Sequence, residues 1–458
     1  MNIEKLKKVH LIGVGGIGVS AVARLMLDMG KSVSGSDANK SEITKELQGL
    51  GLIFHLGHSE GNLPDDTDLV VYSPAIQEDN PEREKAKRLG IKELSYPEML
   101  GQIGRGKKVI AISGTNGKTT TTALIGLILE AAKLDPLVIV GSKVKSFKEG
   151  NLRFGQGEYF VVEACEYRAN MLNINPDVLV LTNIEEDHLD YYRDLNHITE
   201  TFQKFVDQLP AKGFLILNND DEVSREKIKS KGKVATYGIK NKSAIMARGI
   251  KVENEKQYFD LLCDGEKIDE TFSLQVPGVF NVYNALAATA CGLELGIDPK
   301  IIRETLANFI GTWRRFEKVG ERDGAIIISD YAHHPTAVAG TIRAAKEFYP
   351  DRRLVAVFKP HQHNRTKKLF KEFCEAFDQA DLAIISEIFE VTGREAKEDQ
   401  DVSSKDLVRE IGKRGVNTIY GGNLEETRKL VLENIKKGDI VLIMGAGDIY
   451  KIADEIAK

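Results

Sequence analysis

The sequence predicts an α/β protein of three domains: an N-terminal Rossmann-like nucleotide-binding domain (1–104), a central P-loop ATPase-like domain (105–312) and a C-terminal Rossmann-like domain (313–458). Three observations predict this fold class. A chain of 458 residues is longer than one hydrophobic core normally serves. Short apolar strands alternate with helical patterns, which favours parallel, doubly wound sheets. Glycine-rich turns follow the first strand of the first two domains, as in nucleotide-binding folds.

Each predicted domain begins with an apolar strand. The first should contain strands at 9–12, 33–35 and 69–72, a helix over 17–29 and a glycine-rich linker at 101–106. The second should contain strands at 108–112, 159–164 and 178–182, a helix after the glycine loop, an antiparallel excursion over 241–272 and a helix over 281–295. The third should contain strands at 325–329, 354–358, 382–386 and 440–444.

The composition excludes several classes of protein. Charged residues make up 29% and hydrophobic residues 42%, and the net charge is -5, so nothing suggests a nucleic-acid partner. No run approaches the roughly 18 apolar residues of a membrane helix, and residues 1–10 are too charged for a signal peptide. The four cysteines have no metal or redox spacing, which suits a reducing compartment. We therefore expect a cytoplasmic protein without membrane insertion.

The first glycine turn follows the strand at 9–12. Residues 13–18 match G-x-G-x-x-G, in which glycine lets the backbone approach a pyrophosphate at a helix N-terminus. Asp37 closes the next strand, where a dinucleotide enzyme places a ribose-binding acid. Alone, this pattern indicates an NAD-dependent oxidoreductase or merely a tight turn that packs a helix on a strand. Its context favours a nucleotide diphosphate of some kind.

The second glycine turn is the more specific signal. Gly117, Lys118 and Thr119 supply backbone amides, a lysine for the β- and γ-phosphates and a hydroxyl for magnesium. The turn is not a full Walker A motif, because Ile112 stands where the first glycine belongs, and Gly114 opens a shorter form. Two phosphate loops on separate domains predict that one holds ATP and the other a nucleotide-linked substrate.

Acidic residues follow two strands of the central domain. Glu163 ends an apolar strand after the phosphate loop, where either a magnesium ligand or a solvated strand-end acid is expected. His188 lies in the acidic run 183–190, which indicates either a second metal position or a solvated loop.

Polar residues also mark the second domain junction. Asn281 and Asn284 share one helix face, so they could cap the helix or contact an adenine edge. Arg314 and Arg315 could stabilise a transferring phosphate or form a salt bridge.

Two polar segments of the third domain, 330–335 and 359–366, follow predicted strands. Ligands bind at the carboxyl ends of strands in open α/β sheets. His361 and His363 are spaced as a metal pair would be, but no third ligand of suitable spacing accompanies them. Hydrogen bonding to an anionic substrate is therefore preferred, with ordinary surface loops as the alternative.

Together these residues resemble the Mur ligase family over essentially the whole chain, in the same three-domain order. The shared pattern consists of Gly114-Thr115-x-Gly117-Lys118-Thr119-Thr120, Glu163, Glu186-Asp187-His188, Asn281-x-x-Asn284, Arg315-Phe316 and Asp330. The run Gly13-x-Gly15-Gly16-Ile17-Gly18, the segment 330–335 and Pro360-His361-x-x-x-Arg365-Thr366 are similar to the members that add L-alanine.

The resemblance implies a reaction and a set of site residues. L-alanine would be joined to the lactyl carboxylate of UDP-N-acetylmuramate through an acyl phosphate, with ATP and Mg²⁺, in peptidoglycan precursor synthesis. ATP would be bound by Gly114, Thr115, Asn116, Gly117, Lys118, Thr119, Thr120, Asn281, Asn284, Arg315 and Asp330. The metal would be held by Thr119, Glu163 and His188. The substrates would be contacted by Gly15, Gly16, Ile17, Gly18, Asp37, Ser73, His188, His333, His334, His361 and Arg365. The catalytic group would comprise Lys118, Glu163, His188, Arg315 and Asp330. We expect a monomer or a weak homodimer.

Three positions depart from patterns within the family. Asn116 stands where the alanine-adding members usually carry histidine, and Gln362 where several relatives carry arginine. Phe202 occupies the position of a carbamylated lysine in some other members. The alanine-adding members typically lack this lysine. The alternatives are a ligase that adds a tripeptide to the same UDP-sugar, a polyglutamate ligase, an NAD-dependent oxidoreductase and a non-catalytic ATP-gated interaction protein.

Overall fold

The computed structural model describes residues 1–188, 191–390 and 401–457. It confirms an α/β fold built from mostly parallel sheets. By contacts the chain forms two compact units, one of Met1–Ile245 with Leu286–Thr305 and one of Met246–Ala285 with Leu306–Lys458. Within the described residues, no helix is both long and apolar enough to cross a membrane.

The first unit begins with a five-stranded parallel sheet in the order β3-β2-β1-β4-β5. Its elements are β1 (Lys8–Ile12), α1 (Ile17–Asp28), β2 (Ser32–Asp37), α2 (Glu42–Gly49), β3 (Ile53–Leu56), β4 (Leu69–Tyr72), α3 (Pro81–Leu89), β5 (Lys92–Ser95) and α4 (Tyr96–Ile103). The strand order reverses between β1 and β4, and ligands bind at such a switch point in open α/β sheets. The predicted strand at 69–72 has the bounds of β4.

A second sheet of the same unit carries the second glycine turn. Its elements are β6 (Lys108–Ser113), α5 (Lys118–Ala131), β7 (Leu137–Ile139), β8 (Leu152–Arg153), β9 (Tyr159–Glu163), β10 (Val178–Leu181), α6 (Leu195–Val206), β11 (Phe214–Asn218), α7 (Glu222–Lys227) and β12 (Lys233–Gly238). These strands run in the order β12-β11-β10-β6-β9-β7-β8. Central strand β6 is apolar and almost wholly buried, as expected for a parallel strand covered on both faces.

The second unit contains an antiparallel element and another sheet. The predicted excursion over 241–272 is confirmed as β13 (Ile245–Glu253), β14 (Lys256–Cys263) and β15 (Glu266–Leu274). The sheet, in the order β16-β17-β21-β18-β19-β20, comprises β16 (Glu317–Arg322), β17 (Ala325–Asp330), α10 (Pro335–Phe348), β18 (Leu354–Phe358), α11 (His363–Lys368), α12 (Phe370–Glu375), β19 (Leu382–Ser386), α13 (Ser404–Lys413), β20 (Asn417–Gly422), α14 (Leu424–Asn434), β21 (Ile440–Met444) and α15 (Tyr450–Ile456). Two further helices, α8 (Val279–Glu294) and α9 (Pro299–Asn308), contain the residues where the chain changes unit.

The predicted linker at 101–106 is wrong in its first half. Gly101 lies inside α4, which continues to Ile103. A Cβ at Gly101 would stand 2.1 Å from the carbonyl oxygen of Asn173, so this glycine permits close packing of a helix rather than flexibility. A glycine required for contact and a glycine in a linker look alike in the sequence.

Candidate active site

The phosphate loop lies where the strand order of the central sheet reverses, between β6 and its neighbour β10. Gly114 and Gly117 have φ values of +133° and +85°, which only glycine adopts without strain. A Cβ at Gly114 would lie 2.0 Å from Thr182 Oγ1. The loop is thus held against the segment that follows β10, and Gly117 stands directly before the first turn of α5.

Asn116 is held in this loop through its backbone. Its N–H donates to Asn183 Oδ1 at 2.9 Å, and its carbonyl accepts from Thr182 Oγ1 at 2.6 Å. Thr115 is fixed in the same way, because its N–H donates to the Asn183 carbonyl at 2.9 Å. These loop contacts of position 116 are therefore made by its main chain.

Lys118 is almost buried, and its ammonium group points back into the loop. It donates to the carbonyls of Gly114 at 2.5 Å and Thr115 at 2.9 Å, and it lies 2.9 Å from a carboxylate oxygen of Glu166. Although burial opposes it, the charge of Glu166 raises the pKa of Lys118 above its ordinary value. The lysine is therefore held in its charged form.

Thr119 and Glu163 join the start of α5 to the end of β9. The Thr119 hydroxyl donates to Glu163 Oε1 at 3.1 Å, and the Gly141 N–H donates to Oε2 at 2.8 Å. Among the described residues, no three His, Cys, Asp or Glu side chains converge as a metal site. Mg²⁺, however, often takes only one or two protein oxygens beside water and phosphate, so the pair of the Thr119 hydroxyl and the Glu163 carboxylate fits this ion.

His188 lies at the same edge, after β10. Its φ is +54°, a conformation that is uncommon outside glycine and often marks functional sites. Its Nε2 lies 3.5 Å from Glu166 Oε1, and its ring lies 4.8 Å from that of Tyr167. Burial alone would raise the pKa of Glu166, but Lys118 and His188 lower it. The predicted acidic run ends at Leu189 and Asp190, which lie outside the described residues.

The first glycine turn lies at the switch point of the N-terminal sheet. A Cβ at Gly13 would stand 2.9 Å from the Cβ of Ser73, which follows β4. The Gly15 N–H donates to Asp37 Oδ2 at 2.9 Å. A Cβ at Gly18 would approach the Tyr96 ring to 2.7 Å. The structure thus places the predicted substrate residues 15–18, Asp37 and Ser73 around one turn.

A contact from the central domain reaches this turn. Asn151 is 1% exposed, and its Nδ2 donates to the Ile17 carbonyl at 2.5 Å and to Ser20 Oγ at 3.0 Å. Lys143 adds an ion pair to Glu46 of α2 at 2.8 Å. Asn151 thus fixes the start of α1, and Lys143 fixes α2, to the segment after β7.

The two asparagines of α8 form one hydrogen-bonded chain. Asn284 Nδ2 donates to Asn281 Oδ1 at 3.1 Å, and Asn281 Nδ2 donates to the Pro277 carbonyl at 2.7 Å. The interpretation of Asn281 as a helix cap is wrong, because α8 begins at Val279, two residues earlier. Both side chains are buried.

Arg314, Arg315 and Asp330 meet at the start of the C-terminal sheet. The buried guanidinium of Arg314 lies 4.6 Å from the Tyr450 ring and 4.8 Å from the Tyr331 ring. Arg315 lies 4.9 Å from the same Tyr331 ring and is less buried than Arg314. The Asp330 carboxylate accepts the N–H groups of Phe316 at 2.6 Å and Ala332 at 2.7 Å. Burial raises the pKa of Asp330 even though Arg315 and these N–H groups oppose it.

The loops after β17 and β18 bring together aromatic and basic side chains. The rings of His333 and His361 lie 5.9 Å apart, and His361 stacks on Phe389 at 5.5 Å. Arg365 Nη1 lies 3.1 Å from His361 Nδ1. His363 contacts Glu390 instead, so the two histidines do not converge as a metal pair would. Buried His334 stands directly before α10.

Sequence reasoning missed Glu166, Asn151 and the aromatic surroundings of Arg314. Glu166 could have been found from its position, because it lies three residues after Glu163, the acid that ends β9 near the phosphate loop. Nothing in the sequence pattern distinguishes Asn151 from any loop asparagine.

Comparison with known proteins identifies the family. Residues 8–108 match the catalytic domain of the Mur ligase family, 112–292 the Mur ligase middle domain and 314–447 the Mur ligase glutamate ligase domain. The UDP-N-acetylmuramate–L-alanine ligase of Alkaliphilus metalliredigens is 43% identical over 99% of this chain and 97% of that protein. The protein of the same name from Lachnospira eligens is 42% identical over 98% of both chains. The crystal structure of UDP-N-acetylmuramate–alanine ligase from Thermotoga maritima superposes with a TM-score of 0.84 at 28% identity, covering 98% of both chains. With these matches along its whole length, the chain belongs to the Mur ligase family.

Proposed function

We propose that this chain is an ATP-dependent ligase that joins L-alanine to the lactyl carboxylate of UDP-N-acetylmuramate in peptidoglycan precursor synthesis. The observation that carries the proposal is the similarity over 99% of the chain to a relative that bears this activity in its name. The geometry supports it, because a phosphate loop and a separate glycine turn each lie at a sheet switch point, where ligands bind.

In the first unit, the phosphate loop would bind the ATP phosphates. Residues 114–120 supply backbone N–H groups and the Lys118 ammonium, which together offset the charge of the β- and γ-phosphates. Thr119 and Glu163 would hold Mg²⁺, with His188 near the same edge. A bound magnesium ion would neutralise part of the charge that builds up on the transferring phosphate. The turn 15–18, Asp37 and Ser73 would bind the UDP-sugar.

In the second unit, Asn281, Asn284, Arg315 and Asp330 would serve the nucleotide. Arg315 is the less buried of the two neighbouring arginines, and a guanidinium matches phosphate oxygens in a fork geometry. His333, His334, His361 and Arg365 would bind substrate, and Arg365 offers a positive charge to the carboxylate of the amino acid.

The chemistry would proceed in two steps. A carboxylate oxygen of the muramoyl lactyl group attacks the γ-phosphorus of ATP, ADP leaves and an acyl phosphate forms. The alanine nitrogen then attacks the acyl carbon, phosphate leaves and the nitrogen loses a proton to give the amide. Two anions must meet in the first step, so positive groups such as Lys118 and Arg315 are needed to offset their repulsion.

One assay tests the proposal. Phosphate release is measured with ATP and UDP-N-acetylmuramate in the presence of L-alanine, glycine, L-serine or a tripeptide. We expect the largest kcat/KM with L-alanine. A larger value with the tripeptide would assign the chain to the recycling reaction instead. ATP hydrolysis at a rate that does not depend on UDP-N-acetylmuramate would contradict the proposed ligase activity.

Three further expectations accompany this proposal. The chain would divide into three domains with the bounds 1–104, 105–312 and 313–458. The enzyme would act in the cytoplasm, where its nucleotide substrates occur. It would act as a monomer or a weak homodimer.

A further inference from the structure

Every donor of the Lys118 ammonium already has a partner within the protein. The group has three N–H bonds, and they are directed to the Gly114 carbonyl at 2.5 Å, the Thr115 carbonyl at 2.9 Å and the Glu166 carboxylate at 2.9 to 3.0 Å. Of these partners only Glu166 carries a charge. Its side chain is 4% exposed, so water screens this ion pair weakly.

The Glu166 carboxylate contacts Lys118 in the way that a nucleotide phosphate would. Lysines of phosphate loops contact the β- and γ-phosphates of a bound nucleotide, and a carboxylate oxygen offers the same kind of charged acceptor as a phosphate oxygen. A phosphate that approaches Lys118 must therefore displace Glu166 or share the ammonium with it. A second partner is at hand for the carboxylate, because His188 Nε2 lies 3.5 Å from Oε1.

The backbone around Glu166 fixes its place at the loop. Its carbonyl accepts from the buried hydroxyl of Tyr192 and from the Ala169 N–H at 2.9 Å. Arg168 and Ala169 have positive φ values of 52° and 56°, so the chain reverses sharply just after Glu166. The carboxylate thus reaches the lysine from a segment that its own contacts hold in place.

We propose that Glu166 is a positioning residue that stands in for nucleotide phosphate: it holds Lys118 inside the loop until the β- and γ-phosphates displace it. The inference rests on the proposed function, since it takes ATP as the ligand of this loop. It predicts that the carboxylate competes with phosphate. Removal of its charge therefore strengthens nucleotide binding, whereas loss of a merely structural residue would weaken it.

The test measures the binding of ADP and of AMP, each with Mg²⁺, by isothermal titration calorimetry. We expect Glu166→Gln to bind ADP at least threefold more tightly than the unaltered protein. AMP binding should stay unchanged, since AMP lacks the phosphates that the lysine contacts. Glu166→Asp keeps the charge and should bind ADP within about twofold of the original. Glu158→Gln is the matched control, because Glu158 pairs with Lys108 at 3.0 Å in an exposed position.

Equal or weaker ADP binding by a folded Glu166→Gln protein would overturn the inference. An independent readout uses the unaltered protein. In a crystal structure of its ADP complex, Lys118 Nζ should contact the β-phosphate and lie beyond 3.5 Å from both Glu166 oxygens. A retained contact near 3 Å would overturn the inference even if the variant does not fold. If the unaltered protein binds no ADP and forms no amide, the proposed function itself fails.

Discussion

The Thr119 hydroxyl donates to Glu163 Oε1 across 3.1 Å, so the first turn of α5 and the end of β9 share one hydrogen bond. Both oxygens are ligands of the kind that Mg²⁺ prefers. We expect Glu163→Gln to raise the Mg²⁺ concentration for half-maximal phosphate release by about tenfold or more, because a neutral amide attracts the ion less. A magnesium titration of the activity checks this. An unchanged requirement would remove Glu163 from the metal site.

Lys118→Ala should abolish phosphate release. Loss of a preorganised positive group at a transferring phosphate typically costs about 100-fold or more in kcat. The substitution also leaves Glu166 buried without its ion-pair partner, which destabilises the fold by a few kcal/mol, so activity must be measured well below the melting temperature. Lys108→Ala, which removes an exposed lysine, serves as the control. Near-normal turnover by Lys118→Ala would refute the role of the loop.

Arg365→Ala should raise the KM for L-alanine by roughly tenfold, since it removes a charge-assisted hydrogen bond to the carboxylate of the amino acid. The KM for ATP should change little. Arg414→Ala removes an exposed arginine that pairs with Asp378 at 2.6 Å and should change neither constant. Initial rates at varied alanine provide the measurement, and an unaltered KM would exclude Arg365 from the amino-acid pocket.

The stability of the N-terminal sheet should depend on pH through Glu82. Its fully buried carboxylate pairs with His10 at 2.8 Å and accepts from Ser36 at 2.7 Å and from Asn62 at 2.9 Å. Burial alone would raise the pKa of Glu82, but these partners lower it from 4.5 to about 2. A lowered pKa stabilises the folded state above pH 4.5, and this contribution, roughly 3 kcal/mol, is lost as the pH falls towards 2.

The comparison of melting temperatures with Glu82→Gln checks this dependence. We expect the unaltered protein to melt at a higher temperature than the variant at pH 6. The difference should shrink steadily below pH 4.5, because the variant has no carboxylate to protonate. Parallel curves for the two proteins across this range would contradict the prediction.

The sequence predicts the strands of this fold well and its close contacts poorly. Strands 354–358, 382–386 and 440–444 have the predicted bounds, because parallel strands buried on both faces read as short apolar runs. Gly101 was misassigned since the approach of the Asn173 carbonyl comes from a distant segment. The helix that holds Asn281 begins two residues earlier than predicted, within the usual uncertainty of helix ends.

In the candidate site, too, local patterns can be predicted from the sequence and contacts between distant segments cannot. Lys118, Thr119 and Glu163 can be predicted as site residues because a glycine loop and a strand end have recognisable local patterns. Glu166 was missed, since its importance depends on the folding back of Lys118 across 48 positions of sequence. Patterns reveal residues whose chemistry is local, whereas counter-ions that are brought in by the fold emerge only from the structure.

The hydrogen bonds of Asn151 to Ile17 and Ser20 bear on the construction of chimeric enzymes. A domain taken from one relative and joined to the others from a second would be cut near residue 104, and that cut separates the asparagine from the helix it holds. A chimera with residues 17–20 and Asn151 from different parents could leave the buried Asn151 amide without matching hydrogen-bond partners. In a chimera, residues 17–20 and 151 should therefore come from the same parent, although they are far apart in the sequence.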